Sequence, residues 1–439
     1  MIEALEIATF LWMSRWAIQA FRKMSHGENA SILLTSLVFY LMFAAPLGCN
    51  FLLGTPDYRT VPGFATAAGD PLVRILYCLF LVTTACVWRR FGETKHPDAP
   101  AFMNPKAPGR ATRRLLIGLV ISPIIVALIG PNPARYLHYG FIVAEEGSLS
   151  QNEVFFHDLV AAAAFLSIVA SSILILASRS PWRSFRYLLP LQAIAVILDG
   201  KRTGFALAVV GVVLTLYLRG ELKGRRLVAA LLIATLALAG FSYAYQSSIR
   251  EISAAATPKD LLYEGARVDF GRETRVQMAI YSELHPEQMQ ILDFRGETLL
   301  YYAALIVPRD LWPDKPYPYA VYFTGAMLGL SPQYLGWGMT TTIFDEAISN
   351  CGLGGLLLGP LVICWVCRVG DARGGATMRL FTILIACLLL SVQMSAFWPL
   401  FFLWSAAAFW LFHSTRDARR KRAARGDREV LISMPSLPH

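Results

Sequence analysis

Ten stretches of mostly apolar residues, several of them long enough to cross a membrane, dominate the sequence. They lie near residues 30–54, 70–88, 115–130, 154–178, 187–198, 203–218, 227–246, 353–367, 380–396 and 397–413. A helix needs about 20 such residues to cross ~30 Å of hydrocarbon. Only 16% of the residues are charged, too few for the exterior of a soluble globule of this size. We therefore predict an all-α polytopic membrane protein with about ten transmembrane helices, and we exclude an ordinary soluble enzyme, a disordered chain and a disulfide scaffold.

The first 22 residues form an amphipathic segment that precedes the first apolar stretch. Glu3, Glu6 and Arg15 alternate with aromatic and aliphatic residues, a pattern typical of a helix that lies in the membrane interface. An eleventh span is the alternative. A cleavable signal peptide is not expected, because two acidic residues precede the apolar run and no small-residue cleavage site follows it.

The distribution of lysine and arginine predicts the orientation of the spans. If residue 1 is cytoplasmic and ten spans follow, the inner loops and tails carry 27 of the 40 Lys and Arg residues. Cytoplasmic loops are enriched in these residues, so we predict that both termini are cytoplasmic. The chain then divides into a bundle of seven spans after the interfacial helix (1–246), a large periplasmic loop (247–345), C-terminal transmembrane helices (346–413) and a basic cytoplasmic tail (414–439).

Charge and motifs exclude several functions. The net charge of +10 is concentrated in the inner loops and the tail, where attraction to anionic lipid headgroups explains it better than binding to nucleic acid. Cys364 and Cys367 form a C-x-x-C pair inside an apolar helix, without the further ligands that zinc requires, so no metal is expected. The sequence also lacks P-loop, zinc-protease, dinucleotide-binding and D-x-D motifs.

A hairpin between the fifth and sixth spans carries the first candidate binding residues, Lys201 and Arg202. The stretch before it, 187–198, reaches only about 18 Å, and the stretch after it, 203–218, about 24 Å. We therefore expect Asp199, Lys201 and Arg202 to lie below the headgroups, where cations are costly unless they face a polar cavity or an anion. The alternative is that both cationic side chains extend to the membrane surface.

Three arginines of the predicted loop, Arg267, Arg272 and Arg275, are candidates for binding phosphate. Arg272 and Arg275 are three residues apart and would share one face of a helix. The guanidinium group offers paired donors that match phosphate oxygens. The alternative is that the arginines pair with neighbouring acidic residues on a solvated surface.

Arg309, Trp312 and Lys315 lie in a stretch punctuated by prolines (303–316). Prolines fix the backbone, so the two cations and the indole would be presented to a ligand at little ordering cost. The tryptophan and nearby tyrosines suit stacking against a sugar, and an aromatic belt at the membrane interface is the alternative.

Asp345 and Glu346 are the candidate catalytic residues. They lie at the start of an apolar, glycine-rich helix, where loss of hydration makes a carboxylate a stronger base. We expect Glu346 to accept the proton, because polar Ser349 and Asn350 follow it at helical spacing, whereas Asp345 suits a capping role. The alternative for both acids is stabilisation of the helix dipole. Further candidates for the base are His157, Asp158 and His285.

Three short stretches resemble a known family. V-P-R-D-L-W-P-D-K-P and F-D-E-A-I-S-N-C-G-L-G-G, with many spans and one large outer loop late in the chain, resemble the Wzy-type O-antigen polymerases, which join oligosaccharide repeat units of bacterial surface polysaccharides. The D-G-K-R-T-G hairpin is similar to a basic element of these polymerases and of the related O-antigen ligases. The ligases are expected to carry a His shortly before the glycine-rich helix, and residues 337–355 contain none, which favours a polymerase.

The resemblance implies an inverting glycosyltransferase of GT-C-like fold in the bacterial inner membrane. Its donor would be an oligosaccharide on polyprenyl diphosphate and its acceptor a second lipid-linked repeat unit, so no cofactor is required. Its partners would be membrane lipids, a chain-length regulator and a flippase. The alternatives are a ligase-like transferase with another acceptor, and a flippase or other transporter, although inverted hydropathy repeats are not evident.

Overall fold

The computed structural model describes residues 1–28, 30–54, 62–92, 109–144, 150–249, 271–305, 307, 309, 311–335, 337–373 and 375–410. Over these ranges the chain is helical and forms no strand. The helices, numbered along the chain, are α1 (Ile2–Ser25), α2 (Ser31–Phe39), α3 (Ala45–Leu53), α4 (Pro62–Gly69), α5 (Pro71–Val87), α6 (Arg110–Ile129), α7 (Phe141–Ala144), α8 (Gln151–Ala177), α9 (Pro181–Asp199), α10 (Arg202–Leu218), α11 (Gly224–Ile249), α12 (Glu273–Leu284), α13 (Glu297–Ala303), α14 (Tyr319–Leu328), α15 (Ile343–Cys351), α16 (Gly355–Arg373), α17 (Ala376–Ser391) and α18 (Trp398–Trp410).

Six segments are long and apolar enough to cross a membrane, which makes this a helical membrane protein. They are Ser31–Leu53, Pro71–Gly92, Arg110–Ile129, Asn152–Ala177, Gly224–Tyr245 and Ile343–Ala372. The shorter apolar helices are α10, α14, α17 and α18. All ten predicted stretches coincide with helical residues, but four of them do not meet this criterion, so the number of ten spans stays a prediction.

Helix α11 shows that apolar side chains face outwards from the bundle. Leu232, Ile233 and Leu236 are 60%, 66% and 63% exposed. A contiguous apolar surface of this kind is unfavourable in water, whereas a lipid bilayer accommodates it around a helix whose backbone groups are all paired. The exposed apolar face therefore supports the membrane assignment independently of hydropathy.

Helix α1 packs lengthwise against the bundle. Near its N-terminus, Glu6 accepts two hydrogen bonds from Arg74 at the start of α5, at 2.6 and 2.7 Å. Further along, Trp16 contacts Trp88, just beyond the end of α5, with ring centroids 6.2 Å apart. The two helices thus run in the same direction, as expected of an eleventh span, although α1 is not among the six segments that meet the length and hydropathy criterion.

The N-terminus lies at the end of the bundle where α3 ends and α5 begins. A Cβ on Gly48 in α3 would lie 2.5 Å from the ring of Phe10, while Phe39 in α2 contacts Trp16 at a centroid distance of 6.4 Å. Helix α1 is therefore antiparallel to the α2–α3 segment. If α2 begins on the cytoplasmic side, residue 1 is extracytoplasmic, so this packing does not support the expectation that both termini are cytoplasmic.

Helix α9 is longer than the apolar stretch that predicted it. It has 19 residues, from Pro181 to Asp199, and is about 28 Å long, whereas the stretch 187–198 predicted about 18 Å. Proline is compatible with the first turn of a helix, because an N–H at that position would be unpaired. The segment 181–186 therefore extends the helix. The added turns carry Arg183 and Arg186, so the apolar part of the helix stays short and the depth of Lys201 in the membrane stays a prediction.

The predicted outer loop contains α12, α13 and α14, and the first of these is buried in the bundle. All ten residues from Glu273 to Ser282 are buried although many are polar. Helix α12 packs against α4, α5 and α15, so protein surrounds side chains that the sequence predicted to be solvated. Arg267 lies outside the described residues.

Helices α15 and α16, which make up the apolar segment Ile343–Ala372, fold back against each other at Gly352, whose φ of +65° favours glycine. This segment is therefore not one straight helix. A Cβ on Gly355 would lie 2.3 Å from the backbone of Ala347, and one on Gly359 would lie 2.8 Å from the ring of Phe344. The glycines thus permit a close approach of the two helices. The short helix α15, which carries both candidate carboxylates, is consequently enclosed by the bundle.

Phe344 anchors the beginning of α15. Its ring packs, at centroid distances of 5.0–5.6 Å, against three aromatic residues of the preceding helices, Phe39, Phe43 and Phe80. Phe344 is fully buried and immediately precedes the two carboxylates. This aromatic cluster therefore fixes the position of the carboxylates relative to α2 and α5.

Candidate functional site

Glu346 is a buried carboxylate held by neutral donors. It is 4% exposed, and its oxygens accept hydrogen bonds from Thr298 Oγ1 at 2.8 Å and Tyr302 Oη at 3.2 Å. The two hydroxyls are four residues apart and therefore lie on one face of α13. Glu346 forms no ion pair with the residues that the structure describes. Neutral donors orient the side chain, and they favour its ionised form less strongly than a paired cation would.

Asn350 extends this polar group by one helical turn. Its Nδ2 donates to Thr298 Oγ1 at 2.7 Å and to the carbonyl oxygen of Glu346 at 2.8 Å. Its Oδ1 is buried and has no hydrogen-bond partner among the described residues. A buried acceptor without a donor is costly. This oxygen therefore marks a place where a hydroxyl of a ligand would be favourable.

Asp345 has the capping role that the sequence predicted. Its Oδ1 accepts hydrogen bonds from the backbone N–H of Thr342, at 2.9 Å, and from Thr342 Oγ1, which completes a capping box. On another side of the helix, Ser349 Oγ is hydrogen-bonded to the hydroxyl of Tyr319 at 2.9 Å. Ser349 therefore contacts α14 and not Glu346, contrary to our expectation.

Tyr301 links Glu346 to charged groups from distant parts of the chain. Its hydroxyl lies within electrostatic range of Glu346, of Asp158 in α8 and of Arg309 in the proline-rich stretch. Asp158 is exposed to solvent, yet the surrounding protein removes much of its hydration. We call the region around Tyr301, bounded by Asp158, Arg309 and Glu346, the Tyr301 cleft.

Lys201 reaches the same region from the α9–α10 hairpin. Its ammonium group lies within electrostatic range of Asp158, His157 and Asp199. In the part of the chain that the structure describes, neither Lys201 nor Asp158 forms a direct ion pair. A cation in an apolar bundle is stabilised by a nearby anion, and the carboxyl groups of Asp158 and Asp199 can supply one for Lys201.

Arg202 and His157 have contacts that point to structural roles. Arg202 Nη1 donates to Ser242 Oγ at 3.1 Å, and its guanidinium lies 5.3 Å from the ring centroid of Tyr245. His157 is 1% exposed and stacks on Tyr136 at a centroid distance of 6.1 Å. Arg202 therefore connects α10 to α11, while His157 is enclosed by aromatic residues and is poorly placed to act as a base.

The candidates of the proline-rich stretch lie beside the Tyr301 cleft. Arg309 donates two hydrogen bonds of 3.2 Å to backbone carbonyls and stacks over Tyr317 at 4.0 Å. Lys315 donates to two carbonyls, at 2.9 and 3.1 Å, and lies 5.5 Å from the ring centroid of Tyr301. Burial lowers the pKa of Lys315, and the charge of Arg309 lowers it further. Trp312 is half-buried.

Arg272 and Arg275 do not form the shared helical face that the sequence predicted. Helix α12 begins one residue after Arg272, whose Nε donates to the carbonyl oxygen of Ser391 at 3.3 Å. Arg275 is 8% exposed and lies 5.4 Å from the ring centroid of Phe64. It is also within electrostatic range of Asp345. Both arginines therefore help to pack α12 into the bundle.

His285, the other secondary candidate, lies at the end of α12 and contacts Asp70 at the start of α5. Its Nε2 is 3.1 Å from Asp70 Oδ2, while Asp70 Oδ1 accepts hydrogen bonds from the N–H groups of Val73 and Leu72. The bond from Val73 is the main cause of the lowered pKa of Asp70, and His285 lowers it further against the opposing effect of burial. This pair stabilises the junction between the two helices.

Sequence reasoning missed Thr298, Tyr301 and Tyr302, which orient Glu346 and connect it to the cleft. The only signal is the spacing in E-T-L-L-Y-Y-A, which places Thr298 and Tyr302 on one face of a helix. Their role depends on α15 lying opposite that face, which follows from tertiary packing and not from spacing.

No group of three or more His, Cys, Asp and Glu side chains within the described ranges could hold a metal ion. Comparison of the chain with family models, curated proteins and solved structures finds nothing that matches. The fold and the site thus define a helical membrane protein in which buried Glu346 lies within electrostatic range of Tyr301, as do Asp158 and Arg309.

Proposed function

We propose that the chain is an inverting membrane glycosyltransferase that polymerises oligosaccharide repeat units carried on polyprenyl diphosphate. The observation that supports this most strongly is that Glu346, Arg309 and Asp158 all lie within electrostatic range of Tyr301, while Lys201 lies within electrostatic range of Asp158. A buried carboxylate can accept a proton, and cations can stabilise a diphosphate leaving group. The short sequence stretches that resemble O-antigen polymerases include Glu346, Lys201 and Arg309.

In the proposed reaction, a hydroxyl of the acceptor sugar attacks the anomeric carbon of the donor. The glycosidic C–O bond forms while the bond from the anomeric carbon to the diphosphate oxygen breaks, and the diphosphate leaves with the bonding electrons. Glu346 takes the hydroxyl proton, and Lys201 and Arg309 stabilise the charge that develops on the diphosphate. A single displacement of this kind inverts the anomeric configuration and requires no cofactor.

The proposed location is the bacterial inner membrane, with the Tyr301 cleft and α12–α14 on the extracytoplasmic side. In the proposed topology the C-terminal tail is cytoplasmic, and residue 1 is extracytoplasmic if α1 is a span. A chain-length regulator and a flippase that delivers the donor are the proposed protein partners.

The length of the polysaccharide in a deletion strain tests the proposal. We expect surface polysaccharide that carries a single repeat unit, and restoration of long chains by the wild-type gene. Long polymer that accumulates on the lipid carrier would instead indicate a ligase. Repeat units retained on the cytoplasmic side would indicate a flippase, and either result would contradict polymerisation.

A further inference from the structure

A cavity lies between α1, the start of α2 and the turn that follows α5, at the end of the bundle away from residue 1. We call it the α1–α5 cavity. It consists of two adjoining spaces, and the side chains that matter in its lining are Trp12, Arg15, Trp16, Lys23, Trp88 and Arg89. None of these residues belongs to the Tyr301 cleft.

The walls of the α1–α5 cavity are rigid on one side. Trp88 begins a π-helical turn, a feature often found at functional sites. Its indole is 1% exposed and donates to the carbonyl oxygen of Pro360 at 2.9 Å. Trp16 is 8% exposed and packs against Trp88. The two indoles therefore form a fixed floor, on which a ligand could bind without reordering the protein.

The charge of the lining has one sign. Arg15, Lys23 and Arg89 contribute three cations, and none of the described residues that line the cavity is a carboxylate. Arg15 and Arg89 are exposed, and neither has a hydrogen bond or ion pair with another described residue. Guanidinium groups pair favourably with phosphate oxygens, so the cavity is complementary to a phosphate group.

The surroundings of the cavity are apolar. On α1, Leu11 and Ile18 are 61% and 52% exposed, and Phe91 in the π-helical turn is 45% exposed. These side chains flank the cationic lining and face away from the bundle. A ligand with a phosphate and acyl chains would contact both the cationic lining and the apolar side chains beside it. A free phosphate would contact only the cationic lining.

We propose that the α1–α5 cavity binds the headgroup of an anionic phospholipid. Arg89 and Arg90 follow α5 at the end of the bundle that the lysine and arginine distribution places in the cytoplasm, so the lipid belongs to the cytoplasmic leaflet. The phosphate contacts Arg15 and Arg89, the indoles contact the glycerol region, and the acyl chains lie along α1. The site is separate from the proposed glycosyltransferase chemistry and does not depend on it.

Native mass spectrometry of the full chain in detergent tests this, with phosphatidylglycerol and phosphatidylcholine as probes. We expect phosphatidylglycerol to bind about tenfold more tightly, and Arg15→Ala and Arg89→Ala to weaken it about fivefold each. The lysine variants Arg15→Lys and Arg89→Lys should retain most of the binding. Arg113→Ala, an exposed arginine at the start of α6 and outside the cavity, is the matched control and should leave binding unchanged.

Three results would overturn the proposal. The first is equal binding of the two lipids, and the second is phosphatidylglycerol binding that survives in the double alanine variant. The third is displacement of the lipid by millimolar inorganic phosphate, which would show a site for free phosphate. Because both arginine side chains are exposed, the alanine variants should keep the wild-type unfolding temperature. A reduced affinity with an unchanged unfolding temperature would therefore support the proposal.

Discussion

Replacement of Glu346 by Gln separates proton transfer from folding. Glutamine has nearly the same shape, and its carbonyl oxygen can still accept the hydrogen bond from Thr298. Its amide group would then face the hydroxyl of Tyr302, which can act as an acceptor. The variant Glu346→Gln should therefore fold and insert normally, but it can no longer take a proton from the acceptor hydroxyl.

The expected effects on rate and on stability differ strongly in size. Loss of a general base lowers the rate by about 10²–10⁴-fold, which corresponds to ~2.7–5.4 kcal/mol in the activation free energy. Exchange of one hydrogen bond at Glu346 changes the free energy of unfolding by ~0.5–1.5 kcal/mol. In the matched variant Asp345→Asn, the altered cap costs ~0.5–2 kcal/mol of stability, and the chemistry is left intact.

Both variants are to be purified in detergent and assayed with a lipid-linked repeat unit, alongside their thermal unfolding. We expect Glu346→Gln to be nearly inactive with an unfolding temperature close to that of the wild type. Asp345→Asn should be active but less heat-stable. The reverse pattern would assign the base to Asp345, and full activity in both variants would refute a role for either carboxylate in proton transfer.

Three further predictions concern the cleft, the α5–α12 junction and the topology. Lys201→Met should lower the polymerisation rate about 10²–10³-fold, whereas Lys223→Met, in the turn between α10 and α11, should leave the rate unchanged. Equal rates in the two variants would contradict the role of Lys201. Because the folded-state pKa of Asp70 is lowered, its contribution to stability is complete above pH ~4 and is lost as the pH falls through the folded-state pKa. The unfolding temperature should therefore drop on acidification, and Asp70→Asn should make this drop smaller. An identical pH dependence of the unfolding temperature in the variant would contradict a stabilising role of ionised Asp70. A cysteine placed at Glu3 and one placed at Gln333 should both react with an impermeant reagent in intact cells. Labelling at position 3 only after permeabilisation of the inner membrane would contradict an extracytoplasmic start of α1.

The sequence predicts helices well where hydropathy or a cap specifies them. The helical parts of the ten apolar stretches follow from their composition, and the capping role of Asp345 follows from its place one turn after Thr342. The close approach of α15 and α16 follows from Gly355 and Gly359, but spacing alone does not show that the two helices fold back on each other. The reversal of chain direction between α15 and α16 depends on the conformation of Gly352.

Predictions failed where tertiary packing decides the environment. Helix α12 has the polar composition of a solvated segment, but α4, α5 and α15 surround it. The spacing of Arg272 and Arg275 predicts a shared face only if both are helical, and α12 begins between them. The Tyr301 cleft combines Asp158, Tyr301 and Glu346 from three separate parts of the chain. No local pattern contains this information.

The most direct measurement of the proposed activity uses the purified chain alone in liposomes that contain polyprenyl-diphosphate-linked repeat units. Mass spectrometry of the products should show a series of lipid-linked oligomers, with one molecule of polyprenyl diphosphate released for each new glycosidic linkage. Repeat units that remain single, with no polyprenyl diphosphate released even though they move across the bilayer, would contradict a polymerase and indicate a transporter.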